Sequence, residues 1–461
     1  MLPMTRSVMY VGDPFVDTGV AVLEHQIGKA CEEFTDADLL GEGQALIKIY
    51  TQKSWRGALT FHFPNSGWTN PTMGPENVAK FRENVLKGFL LKSETGRLCE
   101  YCGRPANLVV DGSTIPLLSS AGSMECGPGG RTGFAVCGYC LLAVQFYPLA
   151  TLKVAGKALF WWSHDRDWTY LLSGIAVREV RRYFAASPDG AVKPKFPWTR
   201  LLSVTRQAFE EWRADPERIA LRDIVGCHTT NYRTSPEFDE LHIPQDLFLF
   251  WDEAKSNYGS LYDAVITESW KSRRPTPAAA RKTKANEDTE WERRNGFYED
   301  LGSAFEVEDF RQNAVAVAKK YFIKIEKTAS QPGSFDLACL FLERLAGMRK
   351  DRVAAIKEIG DRIAQCRDSE KVLSRLYNSW KILDTLMYAQ KRMRDAGEAP
   401  LPFETILLAL DMVSDDDRIS QDWSLVRSLV ILRTLEMIDP ERARELPEPL
   451  TDESPVKGKE D

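Results

Sequence analysis

The sequence predicts an α+β protein: a mixed N-terminal domain with an inserted zinc knuckle module, followed by a C-terminal helical bundle. Three observations predict it. Two Cys-x-x-Cys pairs, Cys99/Cys102 and Cys137/Cys140, bracket one segment of the N-terminal half. Between Lys271 and Lys284 the composition changes: basic residues alternate with proline and alanine, and no acid occurs. Beyond that stretch apolar residues recur at steps of three and four, the spacing of helices packed along one face. The expected boundaries are 1–270 for the N-terminal domain, 271–295 for a basic linker or exposed loop, 296–446 for the bundle and 447–461 for a disordered tail. The cysteine-rich insert falls at about 95–145.

Taken in order, Tyr10-Val11-Gly12-Asp13-Pro14-Phe15-Val16-Asp17-Thr18-Gly19 reads as a turn feeding a short helix over Val20–Ala30. Its Gly-Asp-Pro lacks the lysine and the glycine spacing of a phosphate loop. Ala45–Tyr50 and Arg56–Phe63 read as two strands; in the second, Leu59, Phe61 and Phe63 alternate with Ala58, Thr60 and His62. Two prolines stiffen the loop Pro64–Pro71. It either presents Asn65, Trp68 and Asn70 to a partner at small ordering cost or packs Trp68 over a core edge. A helix over Pro75–Leu91 leads into the cysteines. Leu141–Tyr147 and Ala158–Trp162 read as buried strands. Arg178, Arg181 and Arg182 cluster on a helix around Glu179–Tyr183, as a solvated face or a phosphate contact.

Gly226–Pro236 reads as a second polar loop. Asn231, Tyr232 and Arg233 there offer an amide, a stacking ring and a guanidinium, which suit a nucleic-acid edge or backbone and would equally cap a helix. The linker cations Lys271, Arg273, Arg274, Arg281, Lys282 and Lys284 would be drawn to a nucleic-acid backbone through counterion release. Helices follow over Asp336–Ala346, Arg352–Cys366, Glu370–Asp395 and Asp422–Ile438. The third carries the stripe Val372, Leu376, Trp380, Leu383 and Met387, and Gly397 and Pro400 stop it.

Four thiolates in two knuckles are the usual ligand set of a structural zinc, closed to substrate. A redox dithiol normally opens a helix beside a βαβ pattern, a setting not expected for either pair. An iron–sulfur cluster would be unusual at this symmetric spacing. Cys126 lies between the pairs as a spare, and His228 beside Cys227 has no neighbours in ligand spacing.

The chain has 461 residues, a net charge of −6, nine cysteines and five histidines. Overall acidity argues against a generic nucleic-acid coat protein but leaves room for local basic patches. The cysteine usage fits a reducing cytoplasm. Leu2–Tyr10 has no sustained apolar run, so no signal peptide is expected, nor is any stretch of about 18 apolar residues present to span a membrane. No phosphate-binding lysine loop, His-Glu-x-x-His pair or Gly-x-Ser-x-Gly elbow occurs. His164-Asp165-Arg166-Asp167 contains the dipeptide of metal-dependent phosphohydrolases without the further histidines such a site needs. A binding protein, not an enzyme, is expected.

The Gly-Asp-Pro-Phe-Val-Asp-Thr-Gly segment, the two Cys-x-x-Cys pairs and the helical C-terminal part together resemble the CXXC–CXXC large subunit of type I-B CRISPR Cascade, over most of the chain. The resemblance implies a non-catalytic subunit of an RNA-guided surveillance complex in antiviral defence. Its N-terminal domain would lie near the 5′ handle of the guide crRNA and the capping subunit. It would read the short protospacer-adjacent motif (PAM) on target double-stranded DNA and start strand separation, leaving the remaining sequence to guide pairing and R-loop formation. The C-terminal bundle would resemble the small subunit that holds the displaced strand. Other partners implied are the backbone subunits and either a helicase-nuclease or, as the target-selection subunit of a CRISPR-associated transposon, a transposition adaptor. Lys53 and Arg56 are expected as phosphate neighbours of Asn65, Trp68, Asn70 and the Asn231–Arg233 trio. An internal start near Met348 would yield a separate small subunit. Two rivals stay open: a zinc-knuckle nucleic-acid-processing enzyme and a protein-only scaffold.

Overall fold

The computed structural model describes residues 7–92, 95–118, 133–187, 192–215, 217, 219–231, 236–271, 290–308, 310–323, 331–379, 381–411 and 423–438. The fold is α+β and predominantly helical. It divides into two compact units: Met1–Gln245 with Trp270–Gly302, and Asp246–Ser269 with Ser303–Asp461. The helix that precedes the basic stretch thus belongs to the second unit rather than to the expected 1–270 domain. Arg273, Arg274, Arg281, Lys282, Lys284, Cys126 and the tail lie outside the described residues, and Lys271 is described in its backbone alone.

The first unit opens with α1 (Pro14–Ile27), and the Gly-Asp-Pro-Phe-Val-Asp-Thr-Gly segment is its start signal. Asp13 is the N-cap, its carboxylate accepting from the amides of Phe15 and Val16 at 3.0 Å each. Pro14 stands where a helix has no use for the missing N–H. Asp17 accepts from the amides of Val11 (2.7 Å) and Gly12 (3.1 Å) and from Trp162 Nε1 (3.2 Å), which ties the entering chain to the sheet. Phe15 through Glu24 are all buried.

Next come α2 (Asp36–Tyr50), α3 (Lys53–Leu59) and α4 (Pro75–Lys87). The two strands expected over Ala45–Tyr50 and Arg56–Phe63 are therefore helical. A Thr35/Asp38 capping box starts α2 upstream of the misleading Ile-Lys-Ile-Tyr alternation, and Leu39, Gly43, Leu46 and Tyr50 then fall on its buried face. Phe61 and Phe63 follow α3 in tight turns, with the Phe63 amide bonded to the Leu59 carbonyl at 2.8 Å. A short antiparallel pair, β1 (Leu108–Val110) and β2 (Phe134–Val136), precedes α5 (Gly138–Phe146). The strand expected over Leu141–Tyr147 is this helix. It is apolar and buried on every side, so its sequence shows no periodicity from which to tell helix from strand.

The core is a four-stranded antiparallel sheet in the order β3 (Leu152–Val154), β4 (Lys157–Trp162), β5 (Ile224–Thr230) and β6 (Glu237–Ile243). The β4 strand matches the expectation. Strand β5 takes the first part of the expected polar loop Gly226–Pro236, through Thr230, and every residue of the strand is buried. Helices α6 (Arg166–Ala186) and α7 (Pro197–Ala214) pack on the sheet, and Trp161 donates from Nε1 to the Leu201 carbonyl at 3.1 Å.

The second unit is built from α8 (Gln245–Glu268), β7 (Trp270–Lys271) and β8 (Arg294–Asn295) being a small pair of the first unit, and from helices beyond α9 (Gly296–Phe305). These are α10 (Phe310–Tyr321), α11 (Ser334–Leu345), α12 (Lys350–Gln365), α13 (Ser369–Asn378), α14 (Ile382–Asp395), α15 (Phe403–Ala409) and α16 (Trp423–Met437). Helix α16 is its apolar centre, with Leu425, Val426, Leu429, Val430 and Leu435 fully buried. The single helix expected over Glu370–Asp395 is two. The break at Ser379 resets the register, so Ile382 and Leu386 turn inward while Met387 is exposed. Trp380 lies outside the described residues.

Candidate functional site

The first knuckle is a tight turn. The Cys99 amide bonds the Arg104 carbonyl (2.6 Å), the Gly103 amide bonds the Cys99 carbonyl (2.8 Å), and Gly103 sits at φ +70°, where a side chain would be strained. The second knuckle opens α5: Cys137 is its N-cap, with Sγ accepting from the Cys140 amide at 3.4 Å. The β1–β2 pair holds the knuckles together, and Asn107 Oδ1 accepts from the Gly138 amide at 2.9 Å.

The Sγ atoms of Cys99, Cys102, Cys137 and Cys140 all lie within 4.8 Å of one another, and none of the four is in a disulfide. Cys102 Sγ and Cys137 Sγ are 3.6 Å apart. The edge of a tetrahedron with Zn–S bonds of about 2.3 Å is about 3.8 Å, so the donor set matches zinc in both number and spacing. Arg104 donates from Nε to Cys102 Sγ at 3.2 Å. Hydrogen bonds from Cys137, Cys140 and Cys99, with that guanidinium, draw the Cys102 thiol well below its ordinary pKa. The positive end of α5 also faces the sulfurs. Although the second pair opens a helix, as a redox dithiol would, its neighbours are the thiols of the other pair and, among the described residues, no βαβ unit surrounds it.

Two close approaches fix this cluster to the core. A Cβ at Gly19 would overlap the Ala143 carbonyl, and one at Gly138 would overlap the Gly88–Phe89 backbone. Helix α1 therefore lies directly against α5. Gln145 of α5 serves as a buried polar hub: its backbone carbonyl accepts from Tyr50 Oη (2.6 Å), its Oε1 accepts from Trp68 Nε1 (3.0 Å), and its Nε2 donates to the Thr114 carbonyl (3.0 Å).

The residues expected at a DNA surface separate. Lys53, Arg56 and Asn65 are exposed. Trp68 is 4% exposed, packed against Tyr50 and Phe81, and so belongs to the core edge. Asn70 folds back on its own turn, accepting from the Thr72 amide (2.9 Å) and hydroxyl (2.7 Å). Asn231 is buried and anchors the end of β5, its amide bonded to the Phe61 carbonyl at 3.1 Å. Tyr232 and Arg233 lie outside the described residues.

Other motifs resolve into structural roles. Asp165 of the His-Asp pair is the N-cap of α6. His228 Nε2 meets the Val154 carbonyl at 3.0 Å inside the sheet. Arg178 pairs with Glu211, and Arg182 with Glu179 (2.5 Å) and Glu290 (3.0 Å), which leaves that cationic group mostly neutralised. A second grouping, Glu24, Cys31 and Glu32, is closed by Arg166, whose Nη2 lies 2.7 Å from Glu24 and whose Nη1 lies 2.5 Å from Glu32.

Sequence reasoning missed one feature. A cavity of about 650 Å³ opens beside the edge strand β3, with Lys53, Lys153 and Lys193 on its lining and Phe61 and Phe184 among its walls. Nothing local in the sequence joins positions 53, 153 and 193. No protein-family model, curated protein or solved structure matches the chain. No helix among the described residues is long and apolar enough to cross a membrane.

Proposed function

We propose that this chain is a non-catalytic, zinc-stabilised large subunit of a type I-B CRISPR surveillance complex, reading the PAM on duplex DNA and helping to open the strands. What supports the reading is one juxtaposition. The two motifs that carry the resemblance meet in space, because the Gly-Asp-Pro-Phe-Val-Asp-Thr-Gly segment forms the buried start of α1 and α1 packs against the helix opened by the second cysteine pair. The helical second unit suits the bundle that the resemblance implies. Zinc would be held by Cys99, Cys102, Cys137 and Cys140 and would cross-link the Cys99–Arg104 turn to the start of α5 without entering any reaction. Duplex contact then falls to the exposed Lys53, Arg56 and Asn65, with the 271–284 stretch as an electrostatic tether.

Affinity purification of the tagged chain from its native host tests this, with nucleic acid, metal and partners analysed together. The expected result is a guide RNA of uniform length, several partner subunits and about one zinc per chain. Zinc without RNA or partners would overturn the surveillance reading and leave a zinc-stabilised scaffold. Metal-dependent cleavage of nucleic acid by the isolated chain would overturn its non-catalytic assignment.

A further inference from the structure

The lysine-lined cavity is a separate feature from the cysteine cluster, and its chemistry is unusual for this molecule. Some lysines of the first unit pair with carboxylates: Lys29 with Asp38 (3.2 Å), and Lys157 with Glu237 (2.7 Å) and Asp239 (2.6 Å). Lys53, Lys153 and Lys193 come from α3, β3 and the segment ahead of α7, and among the described residues none makes an ion pair. No acidic side chain among the described residues lines the cavity. In a chain of net charge −6, three such cations on one cavity make a local positive field.

Lys153 is held over the Phe61 ring, Nζ lying 3.9 Å from its centroid. Burial, with repulsion from Lys193, pushes its pKa below the usual lysine value, a cost that an arriving anion would relieve. The cavity is too large for a lone phosphate and lies within the usual range for small-molecule sites, about 300–1,000 Å³. Much of its remaining surface is apolar and partly aromatic, from Phe61, Phe184, Pro148 and Pro194, and Ser54, Thr151 and Ser187 add hydroxyls to the lining. Lysines suit phosphate as point charges, and aromatic walls suit the face of a base.

We infer that this cavity binds one nucleotide unit, its phosphate among the lysines and its base against the aromatic wall. The unit is either a free nucleotide or the end of a nucleic-acid strand. The inference does not rest on the guide-RNA reading, since it concerns residues that play no part in the metal cluster or the motif-reading contacts apart from Lys53.

The test is calorimetric titration of the full, zinc-loaded chain with adenosine 5′-monophosphate, adenosine, inorganic phosphate and a short oligonucleotide with and without a 5′-phosphate. The monophosphate is expected to bind at least about tenfold more tightly than adenosine or phosphate alone, since only it engages both walls. Lys153→Met and Lys193→Met should each weaken it about tenfold, while Lys29→Met leaves it unchanged. A 5′-phosphorylated oligonucleotide that competes with the monophosphate places a strand end in the cavity; one that fails to compete places a free nucleotide there. Either supports the inference. Acetylation footprinting of the unmutated chain supplies a readout free of folding effects: the monophosphate should protect Lys153 and Lys193. No binding of monophosphate or oligonucleotide, or binding that neither the variants nor the footprint registers, would overturn it.

Discussion

The two units keep their polar groups in different ways. In the first, connections between distant segments run through buried polar atoms: Asp17 to Trp162, Gln145 to Tyr50 and Trp68, and four thiols from two knuckles. In the second, helices meet chiefly through apolar faces around α16, and Gly360 lets α12 approach it closely. This unit buries charge as well: Arg352 faces Asp411, Nη1 to Oδ2 3.8 Å, and both side chains are 1% exposed. A helical bundle tolerates change spread over many similar contacts. A small sheet wrapped by helices depends on a few specific ones. On the proposed zinc site, metal-dependent stability would fall to the first unit.

The largest expected effect breaks that asymmetry directly. Cys137→Ala removes one sulfur and the N-cap of α5 together. Zinc folds small cysteine-rich peptides with an apparent roughly 10–16 kcal/mol, and forfeiting even part of that exceeds the stability of most domains. Limited proteolysis should then cut the first unit and spare the helices of the second; equal loss in both would refute the division.

In the second unit the corresponding weak point is ionic. Arg352→Met leaves the buried Asp411 carboxylate, among the described residues, with the more exposed Arg349, 3.6 Å away. About 3 kcal/mol should be lost in chemical denaturation, with zinc content unchanged.

A third prediction concerns pH. Burial pushes the His62 imidazole down to about 3, and its Nδ1 lies 2.6 Å from the Tyr147 hydroxyl. The unfolded histidine titrates near 6.5, so between pH 6.5 and 3 the unfolded chain binds the extra proton and stability falls as pH falls. This one group accounts for about 2 kcal/mol between pH 7 and pH 5. Half-buried Asp13, pushed up to about 6 by desolvation, acts in the opposite sense. The comparison is therefore wild type against His62→Asn: the wild-type advantage should shrink by about 2 kcal/mol from pH 7 to pH 5. A constant gap would contradict a neutral buried imidazole.

The smallest effect sharpens the role of the N-terminal motif. Asp13→Ala should cost about 1 kcal/mol as a lost helix cap, and Asp13→Asn much less. A large loss of partner binding without loss of stability would instead place Asp13 at an interface.

How much of this was legible beforehand followed from the length over which each signal acts. The cysteine cluster was readable because each ligand pair sits within one turn. Helices α12 and α16 were readable because their apolar stripes run for several turns. Helix α5 was not, since burial on every side erases the periodicity that separates helix from strand. In Ala45–Tyr50 local alternation pointed to a strand, while the capping box at Thr35, outside the window, decided for a helix. Trp68 and Asn231 looked available because they stand among turn formers. Their partners, Gln145 and the Phe61–His62 backbone, are remote in sequence. The lysine cavity had no sequence signature for the same reason.

Hydrogen exchange on the full chain, before and after zinc is stripped by a chelator, tests the central claim most directly. Metal removal should collapse protection in α1, α5 and the β1–β2 pair while α12 and α16 keep theirs, with about one zinc released per chain. Unchanged protection around Cys99–Cys140, or a chain purified without zinc that is equally protected there, would contradict a metal-built first unit.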